Sequence, residues 1–419
     1  MGGFWRFISL LKDFVWGEWT LTLLIGTGIW LTIVLGFPQI RYFKLMLKEV
    51  IGNSRKKKFD GNCISPFAAM STALFTTIGT GNIAGVATAL HLGGPGALVW
   101  MFFSAILGMT TKFAEIVLAV YYREQDEDGH FRGGTMHILE NALGLKWLAV
   151  VFAVFAIFAS FGMGNMVQSN SVAVGLFVGF HIPHLWTGII IAIIVGLVIW
   201  GGITRIAHVA THLVPFMAIF YVAVSLIVVF LYIDALPSAI MTALKAAFSN
   251  PSALPGALAG WGVKTALTKG ISRVICTMSA LVVLLTGVLT TCPEFTGCQL
   301  MLVGFQCVFG TFGIYVLFFS TFLFAISTIF GWYWYAETAL VYLFGQSKFI
   351  ITPFKVFWLW LIIYGAVGGS RLLGDFWNFS DAMNGFMAIP TLICLLLLTT
   401  QLRNLVQDFD AKRKTGELL

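Results

Sequence analysis

The chain has 419 residues, of which 58% are hydrophobic and only 10% are charged, and its mean hydropathy is +0.91. A water-soluble globule needs far more polar side chain to cover its surface, so this composition excludes a soluble protein and predicts one that lies in a bilayer. A hydrocarbon core takes about 20 apolar residues per helix, which allows about ten crossings and leaves no room for a soluble domain. We therefore expect one transmembrane domain that covers residues 1–419.

The apolar runs, such as 185–200 and 392–398, are apolar on nearly every face, whereas the strands of a membrane barrel alternate apolar and polar positions. The predicted fold is therefore all-α and polytopic. Runs of spanning length lie near residues 19–37, 64–92, 95–122, 147–178, 185–202, 209–233, 274–290, 302–344, 356–370 and 385–402.

The formal net charge of +7 comes from Lys and Arg residues that lie between the apolar runs, so it indicates orientation in the membrane and not a nucleic-acid surface. Basic clusters such as 41–58 and 403–414 are expected on the cytoplasmic side of the cell (inner) membrane. Alternation then places the N-terminus outside and the C-terminus inside, if a crossing near 236–273 is preserved. That stretch holds three prolines and several Lys residues, which makes it a poor continuous membrane helix, so the chain is one crossing short there.

Two glycines separated by one residue lie in the middle of the second apolar run, at Gly79 and Gly81. Glycine there favours an unwound helix, whose freed N–H groups can bind a carboxylate while its freed carbonyls bind a cation. The alternative is that these glycines only allow close packing between helices. The spacing supports the two interpretations equally.

Five segments in chain order closely resemble the bacterial and archaeal alanine or glycine:cation symporters, also called sodium:alanine symporters. The resemblance implies a leucine-transporter-type inverted repeat with a broken first core helix, sodium as the co-transported ion, and a small amino acid as the substrate. The segments are residues 79–86 (Gly-Thr-Gly-Asn-Ile-Ala-Gly-Val), 92–97 (Leu-Gly-Gly-Pro-Gly-Ala), 108–115 (Gly-Met-Thr-Thr-Lys-Phe-Ala-Glu), 161–170 (Phe-Gly-Met-Gly-Asn-Met-Val-Gln-Ser-Asn) and 327–337 (Ser-Thr-Ile-Phe-Gly-Trp-Tyr-Trp-Tyr-Ala-Glu).

The family motifs imply a substrate site around the broken helix. The amides of Thr80 and Gly81 would meet the substrate carboxylate, aided by the positive ends of the half-helices. Gln168 would belong to the pocket, with an interhelical hydrogen bond as the alternative. Trp332 shares a helix face with Thr328 and would restrict the pocket to small side chains. The expected substrate-binding residues are Gly79, Thr80, Gly81, Asn82, Gln168, Thr328 and Trp332.

Sodium is a hard cation and prefers oxygen ligands. The hydroxyls of Ser327 and Thr328 follow the Phe324 carbonyl by one helical turn, so the three oxygens share one face. The resemblance places them, together with the carbonyls of Phe75 and Ile78, around a sodium ion. The alternative is that both hydroxyls bond only to their own helix.

The chain departs from the family pattern after Arg273. Residues 274–278 resemble the middle of the seventh core helix directly, so about forty residues are expected to be missing and the sixth core helix is incomplete. The missing part is the unwound stretch and second half of the sixth helix, a loop and the start of the seventh. Because the binding site of this fold lies between two broken helices, the loss would remove half of the pocket wall. Residues 254–272 would form at most a half-helix, or 256–290 would continue as one helix and invert everything after it.

Three smaller features complete the sequence interpretation. Lys112 and Glu115, spaced i, i+3, are expected to form a structural ion pair. Arg371, Asp375 and Asp381 are expected in a solvated ion-pair network in the last outer loop. The cysteines at 292 and 298 lie in an outer link where oxidising conditions allow a disulfide, although a chance pair is the expectation.

Two functions fit these observations. The first is sodium-coupled symport of alanine, glycine or a similar small amino acid by alternating access. The alternative is a decayed membrane protein that at most binds amino acids, which the missing segment favours. No motif of an enzyme is found, so no enzymatic activity is expected. The expected partners are a small amino acid and membrane lipid, not nucleic acid, and the oligomeric state stays open.

Overall fold

The structure, a computed structural model, describes residues 2–49, 66–125, 131–249 and 272–415. Almost all of the described chain is helical, which confirms the all-α prediction. Strands are limited, in the described ranges, to one antiparallel hairpin of β1 Glu124–Gln125 and β2 Phe131–Arg132.

The helices before the gap at 250–271 are α1 Gly2–Val15, α2 Glu18–Val34, α3 Pro38–Arg41, α4 Phe43–Leu47, α5 Pro66–Phe75, α6 Ala84–Gly93, α7 Ala97–Tyr121, α8 Thr135–Asn141, α9 Lys146–Ala159, α10 Val167–Phe180, α11 His184–Ile199, α12 Gly202–Leu231 and α13 Leu236–Ser249. After it follow α14 Ser272–Leu285, α15 Val288–Thr291, α16 Gly297–Phe309, α17 Thr311–Phe344, α18 Lys348–Val367, α19 Gly369–Leu397 and α20 Thr399–Thr415. Short 3₁₀ turns cover Thr80–Asn82 and Ile233–Ala235, and a π-helical segment, Ser160–Met166, joins α9 to α10.

Within the described ranges, six helices are long and apolar enough to cross a membrane, or eight if each of two bent helix pairs counts as one span. This confirms a polytopic membrane protein, with fewer long spans than the ten apolar runs suggested. Part of the difference lies in three apolar helices of 10–17 residues, namely α11, α14 and α16. Apolar composition marks these helices as buried or membrane-embedded but does not fix their length.

A helix that the sequence did not predict, α1, precedes the first predicted apolar run. Helices α1 and α2 form one bent pair with an angle of 42°, and α1 packs along α19. The indole Nε1 of Trp16, at the bend, donates a hydrogen bond of 2.8 Å to the Asp381 carbonyl. The amphipathic α1 therefore packs against the helical bundle and is joined to α2 by a bend.

The prediction of a solvated outer loop around Asp375 and Asp381 is wrong. Both residues lie inside α19, which begins at Gly369, and Asp381 is only 8% exposed. Polar residues interrupt the apolar run before residue 385, so hydropathy placed the start of the helix too late. In the structure, α1 covers this polar stretch.

The chain after α12 agrees with the prediction that 236–249 supplies no crossing. Helix α13 has 14 residues, about 21 Å at the rise of an α-helix, and buries only Ala243 and Ala247. It lies against the start of α7, where the Trp100 indole donates a hydrogen bond of 2.9 Å to the Ala247 carbonyl. The predictions for 254–272, and the choice of a helix over 256–290, fall largely outside the described residues.

Helix α17 lies at the centre of the fold. It packs against α5, the π-helical segment, α9, α10, α12 and α16. Two thirds of its most apolar 18-residue stretch is buried inside the protein. A helix surrounded in this way is apolar on all sides. The predicted sodium-binding hydroxyls lie in its middle. Cys292 and Cys298, in the link before α16 and at its start, are both free thiols.

Candidate functional site

The second crossing is broken where the glycine pattern predicted. Helix α5 ends at Phe75, α6 begins at Ala84, and the two halves meet at 73°. Gly79 is extended between them, and a Cβ there would lie 2.5 Å from the Thr328 hydroxyl oxygen. The two interpretations of the glycines therefore both hold, because the residue that permits the break also permits the approach of α17.

Two buried hydroxyls of α17 face the broken helix. Ser327 Oγ and Thr328 Oγ1 each lie 3.1 Å from the Ile78 carbonyl oxygen and 2.9 Å from the Phe324 carbonyl oxygen. Each hydroxyl has one proton and donates to one carbonyl at a time, so two of these four contacts have no proton between the oxygens. The two hydroxyl protons suffice for the two carbonyls, and the oxygens grouped here are of the type that a hard cation prefers.

The structure thus brings together four of the five predicted sodium ligands. The fifth, the Phe75 carbonyl, is not among the hydrogen-bonded atoms of this cluster in the described part of the chain. The Phe75 ring stacks on Phe330 of α17 with 5.7 Å between ring centroids. The alternative that the hydroxyls bond only to their own helix is wrong, because each also contacts the Ile78 carbonyl of the broken helix. Their role as sodium ligands stays a prediction.

Asn82 holds the break together from the other side. Its Nδ2 donates a hydrogen bond of 2.9 Å to the Thr77 carbonyl, and its Oδ1 lies 3.1 Å from the Cys276 thiol of α14. Its main-chain carbonyl accepts a hydrogen bond of 2.8 Å from Ser279, whose hydroxyl also lies 2.7 Å from the Tyr221 hydroxyl. Sequence analysis missed Ser279 and Tyr221, although a Ser within an apolar helix three residues after Cys276 was a signal for a polar contact.

We expect Ser279→Ala to lower the thermal unfolding midpoint. The buried Asn82 carbonyl and the buried Tyr221 hydroxyl each lose a hydrogen bond to Ser279, and such a loss costs about 1–3 kcal/mol where it leaves a buried polar group unpaired. The control is Ser238→Ala, because the exposed Ser238 hydroxyl donates to the nearby Ala235 carbonyl, three residues earlier, and joins no second helix in the described ranges. Equal unfolding midpoints for the two variants in detergent would show that the Ser279 contact does not stabilise the break.

Gln168 of α10 reaches the main chain of the break. Its Oε1 accepts hydrogen bonds of 3.1 Å from the Thr80 N–H and 2.9 Å from the Thr80 hydroxyl. Its Nε2 donates a hydrogen bond of 2.9 Å to the Met163 carbonyl in the π-helical segment. The sequence placed Gln168 near the pocket but did not identify Thr80 as its partner.

A cavity of about 560 Å³ extends from the break. Of the predicted substrate-binding residues, Gly79, Gly81, Thr328 and Trp332 line it, whereas Thr80, Asn82 and Gln168 are not among its lining residues. A Cβ on Gly164 would lie 2.2 Å from the Trp332 Cβ, so the π-helical segment fixes the Trp332 side chain against the cavity wall. The sequence could not show this contact.

Polar groups line the far end of the cavity. The predicted ion pair is present, with 2.9 Å between Lys112 Nζ and Glu115 Oε2. Thr76 Oγ1 and the Tyr335 hydroxyl lie 3.1 Å apart nearby, and all four residues line the cavity. The cavity that starts at the broken helix therefore has an ion pair and two hydroxyls in a largely apolar wall.

Comparison with known proteins finds relatives that cover nearly the whole chain. The model of the sodium:alanine symporter family matches residues 2–275 and 272–418. The sodium/alanine symporter AgcS of Methanococcus maripaludis is 39% identical, with 97% of each chain covered. An uncharacterized transporter of Haemophilus influenzae is 37% identical over 97% of this chain and 96% of its own. A probable sodium/glutamine symporter of Bacillus subtilis, GlnT, is 32% identical over 98% and 91%.

The same matches support the prediction that a segment is missing after Arg273. The alignment with the Haemophilus influenzae relative runs over 449 positions but covers 97% of 419 residues, about 406, so about 43 positions (449 minus 406) face a gap in this chain. The two matches to the family model meet at residues 272–275, which agrees with the gap predicted after Arg273. Apart from this gap, the matches extend over nearly the whole chain, and the chain belongs to the sodium:alanine symporter family.

Proposed function

We propose that this chain transports alanine, glycine or a similar small amino acid together with sodium across the cell membrane by alternating access. Its family supports sodium-coupled amino-acid symport. The observation that carries the proposal is the convergence of the Ile78 and Phe324 carbonyls with the Ser327 and Thr328 hydroxyls at a break in the membrane helix. Oxygen ligands of this kind suit a hard monovalent cation.

In this proposal the substrate lies where the cavity meets the break. Its carboxylate binds the Thr80 and Gly81 amides at the positive ends of the half-helices, close to the sodium ion. Gly79, Gly81, Thr328 and Trp332 line this end of the cavity, and Gln168 contacts Thr80. The bulk of Trp332 beside Thr328 favours a small substrate side chain.

The charge pattern and the cavity support one orientation. The far end of the cavity is lined by Arg132 and by residues of α7 and α17 near the basic links that the positive-inside rule places in the cytoplasm. An N-terminus outside and a C-terminus inside follow if a crossing near 236–273 is preserved. The state described here is then open to the cytoplasm.

Uptake of labelled alanine into liposomes that contain the purified protein tests the proposal. An inward sodium gradient should drive accumulation above that of empty liposomes, and replacing sodium by choline should abolish it. Absence of uptake in both conditions would contradict transport.

The missing segment favours a second candidate, a protein that binds amino acids without transporting them. About 43 positions of the Haemophilus influenzae relative have no counterpart here. The two family matches meet at 272–275, which predicts that the missing positions belong to the wall of the site. Thermal stabilisation by alanine in the presence of sodium, without uptake, would support this candidate. Equal unfolding midpoints with and without both ligands would exclude binding as well.

A further inference from the structure

The two hydrogen-bond donors of Thr80 are already occupied in this structure. Its main-chain N–H and its hydroxyl both donate to one acceptor, Gln168 Oε1, at 3.1 and 2.9 Å. Thr80 and Gln168 are both 0% exposed. The Gln168 side chain is held in this position by a second hydrogen bond, which its Nε2 donates to the Met163 carbonyl.

The proposed function places the substrate carboxylate on the same donors. An amide oxygen and a carboxylate oxygen accept hydrogen bonds in the same way, and both cannot occupy one N–H and one hydroxyl at hydrogen-bond distance. The space is limited as well, because a Cβ on Gly79 would lie 3.3 Å from Gln168 Oε1. One of the two acceptors must therefore leave when the other arrives.

We propose that Gln168 is an internal ligand of the carboxylate subsite, which occupies the Thr80 donors when the site is empty and is displaced by the substrate carboxylate. The proposal rests on the proposed function. A buried donor without a partner is costly, and Gln168 removes this cost in the empty protein. A carboxylate forms stronger charge-assisted hydrogen bonds than an amide, which allows the exchange.

The exchange has a measurable consequence for affinity. The substrate must break two hydrogen bonds before it forms its own, so the internal ligand weakens binding and speeds release. If Gln168 instead only added a contact to the bound substrate, its removal would weaken binding. The two roles therefore predict opposite signs for the same substitution.

Gln168→Met tests the sign, because methionine has nearly the same length and shape but is a poor acceptor. We expect the Kd for alanine, measured at saturating sodium by titration of the unfolding midpoint or by direct radioligand binding, to fall about tenfold, the equivalent of about two ordinary hydrogen bonds. The matched control is Ser171→Ala on the same helix, whose hydroxyl bonds only to the Val167 carbonyl, and its Kd should equal that of the wild type.

A Kd for Gln168→Met that is unchanged or higher than in the wild type overturns the proposal. If the variant does not fold, a structure of the wild-type protein with alanine and sodium bound decides. Gln168 Oε1 must then lie beyond hydrogen-bond distance from the Thr80 nitrogen, and its retention there overturns the proposal. A wild-type protein that binds no alanine at all is a different result, because it removes the proposed function itself.

Discussion

Thr328→Ala is expected to raise the sodium concentration that gives half-maximal uptake of alanine about ten- to hundredfold. Thr328 Oγ1 is one of four oxygens that converge at the break, and loss of a hydrogen-bonding partner to a charged group costs about 1.5–3 kcal/mol. Ser327→Ala should act similarly, and the double variant should lose sodium dependence in the measurable range. The measurement is the rate of alanine uptake against external sodium.

Two controls separate ligand loss from damage to α17. Thr328→Ser keeps the hydroxyl and should retain sodium affinity close to that of the wild type. Ser320→Ala removes a buried hydroxyl of the same helix that bonds only to the Val316 carbonyl, so its sodium dependence should not change. Wild-type sodium dependence in Thr328→Ala and Ser327→Ala would exclude these hydroxyls as ligands.

Local patterns made the broken helix and the hydroxyl pair predictable. Two glycines with one residue between them in an apolar run mark a place where the helix can unwind. Three oxygens one turn apart on α17 share a face wherever that helix packs. The geometry of a single helix left two interpretations open at each place, and the resemblance to the family selected the unwound helix and the sodium-binding hydroxyls.

Contacts between helices were not predictable in the same way. The Gln168 bond to Thr80 joins residues 88 positions apart, and the Ser279 bond to Asn82 joins residues 197 positions apart. A buried polar side chain announces that it needs a partner, but the sequence does not say which one. The prediction that Asp381 lies in a solvated loop was wrong for a related reason. Helix α1 covers this part of α19, and hydropathy contains no information about that packing.

The missing segment shows how separate sequence observations can locate a feature that a single one leaves ambiguous. Charge alternation indicated one crossing too few between 236 and 273, and the family motifs indicated a gap after Arg273. The two family matches that meet at 272–275 agree with both. Helix α14 contacts α6 and the turn at Thr80–Asn82 directly, so the described chain keeps one wall of the site beyond the gap.

Gly331→Ala is expected to lose both stability and sodium response, although residue 331 contributes no ligand. A Cβ at this position would lie 2.2 Å from the Thr76 Cγ2 and 3.0 Å from the Thr76 Cα and nitrogen, inside the usual carbon contact of about 3.5–4.0 Å. A new rotamer of Thr76 would relieve only the first contact, because the other two involve main-chain atoms. Helix α17 must therefore move away from α5.

That movement acts on the sodium ligands, because Gly331 follows Thr328 by one turn and Thr76 precedes Ile78 by two residues. We expect overpacking to cost about 1–3 kcal/mol of stability, and the unfolding midpoint to become insensitive to sodium. The matched control is Gly26→Ala in α2, where no atom lies within 4 Å of the added Cβ. Its midpoint should stay the same or rise, since alanine is the better helix former by up to about 1 kcal/mol. If Gly331→Ala keeps the sodium response of the wild type, close contact between α17 and the broken helix is not what positions the four oxygens.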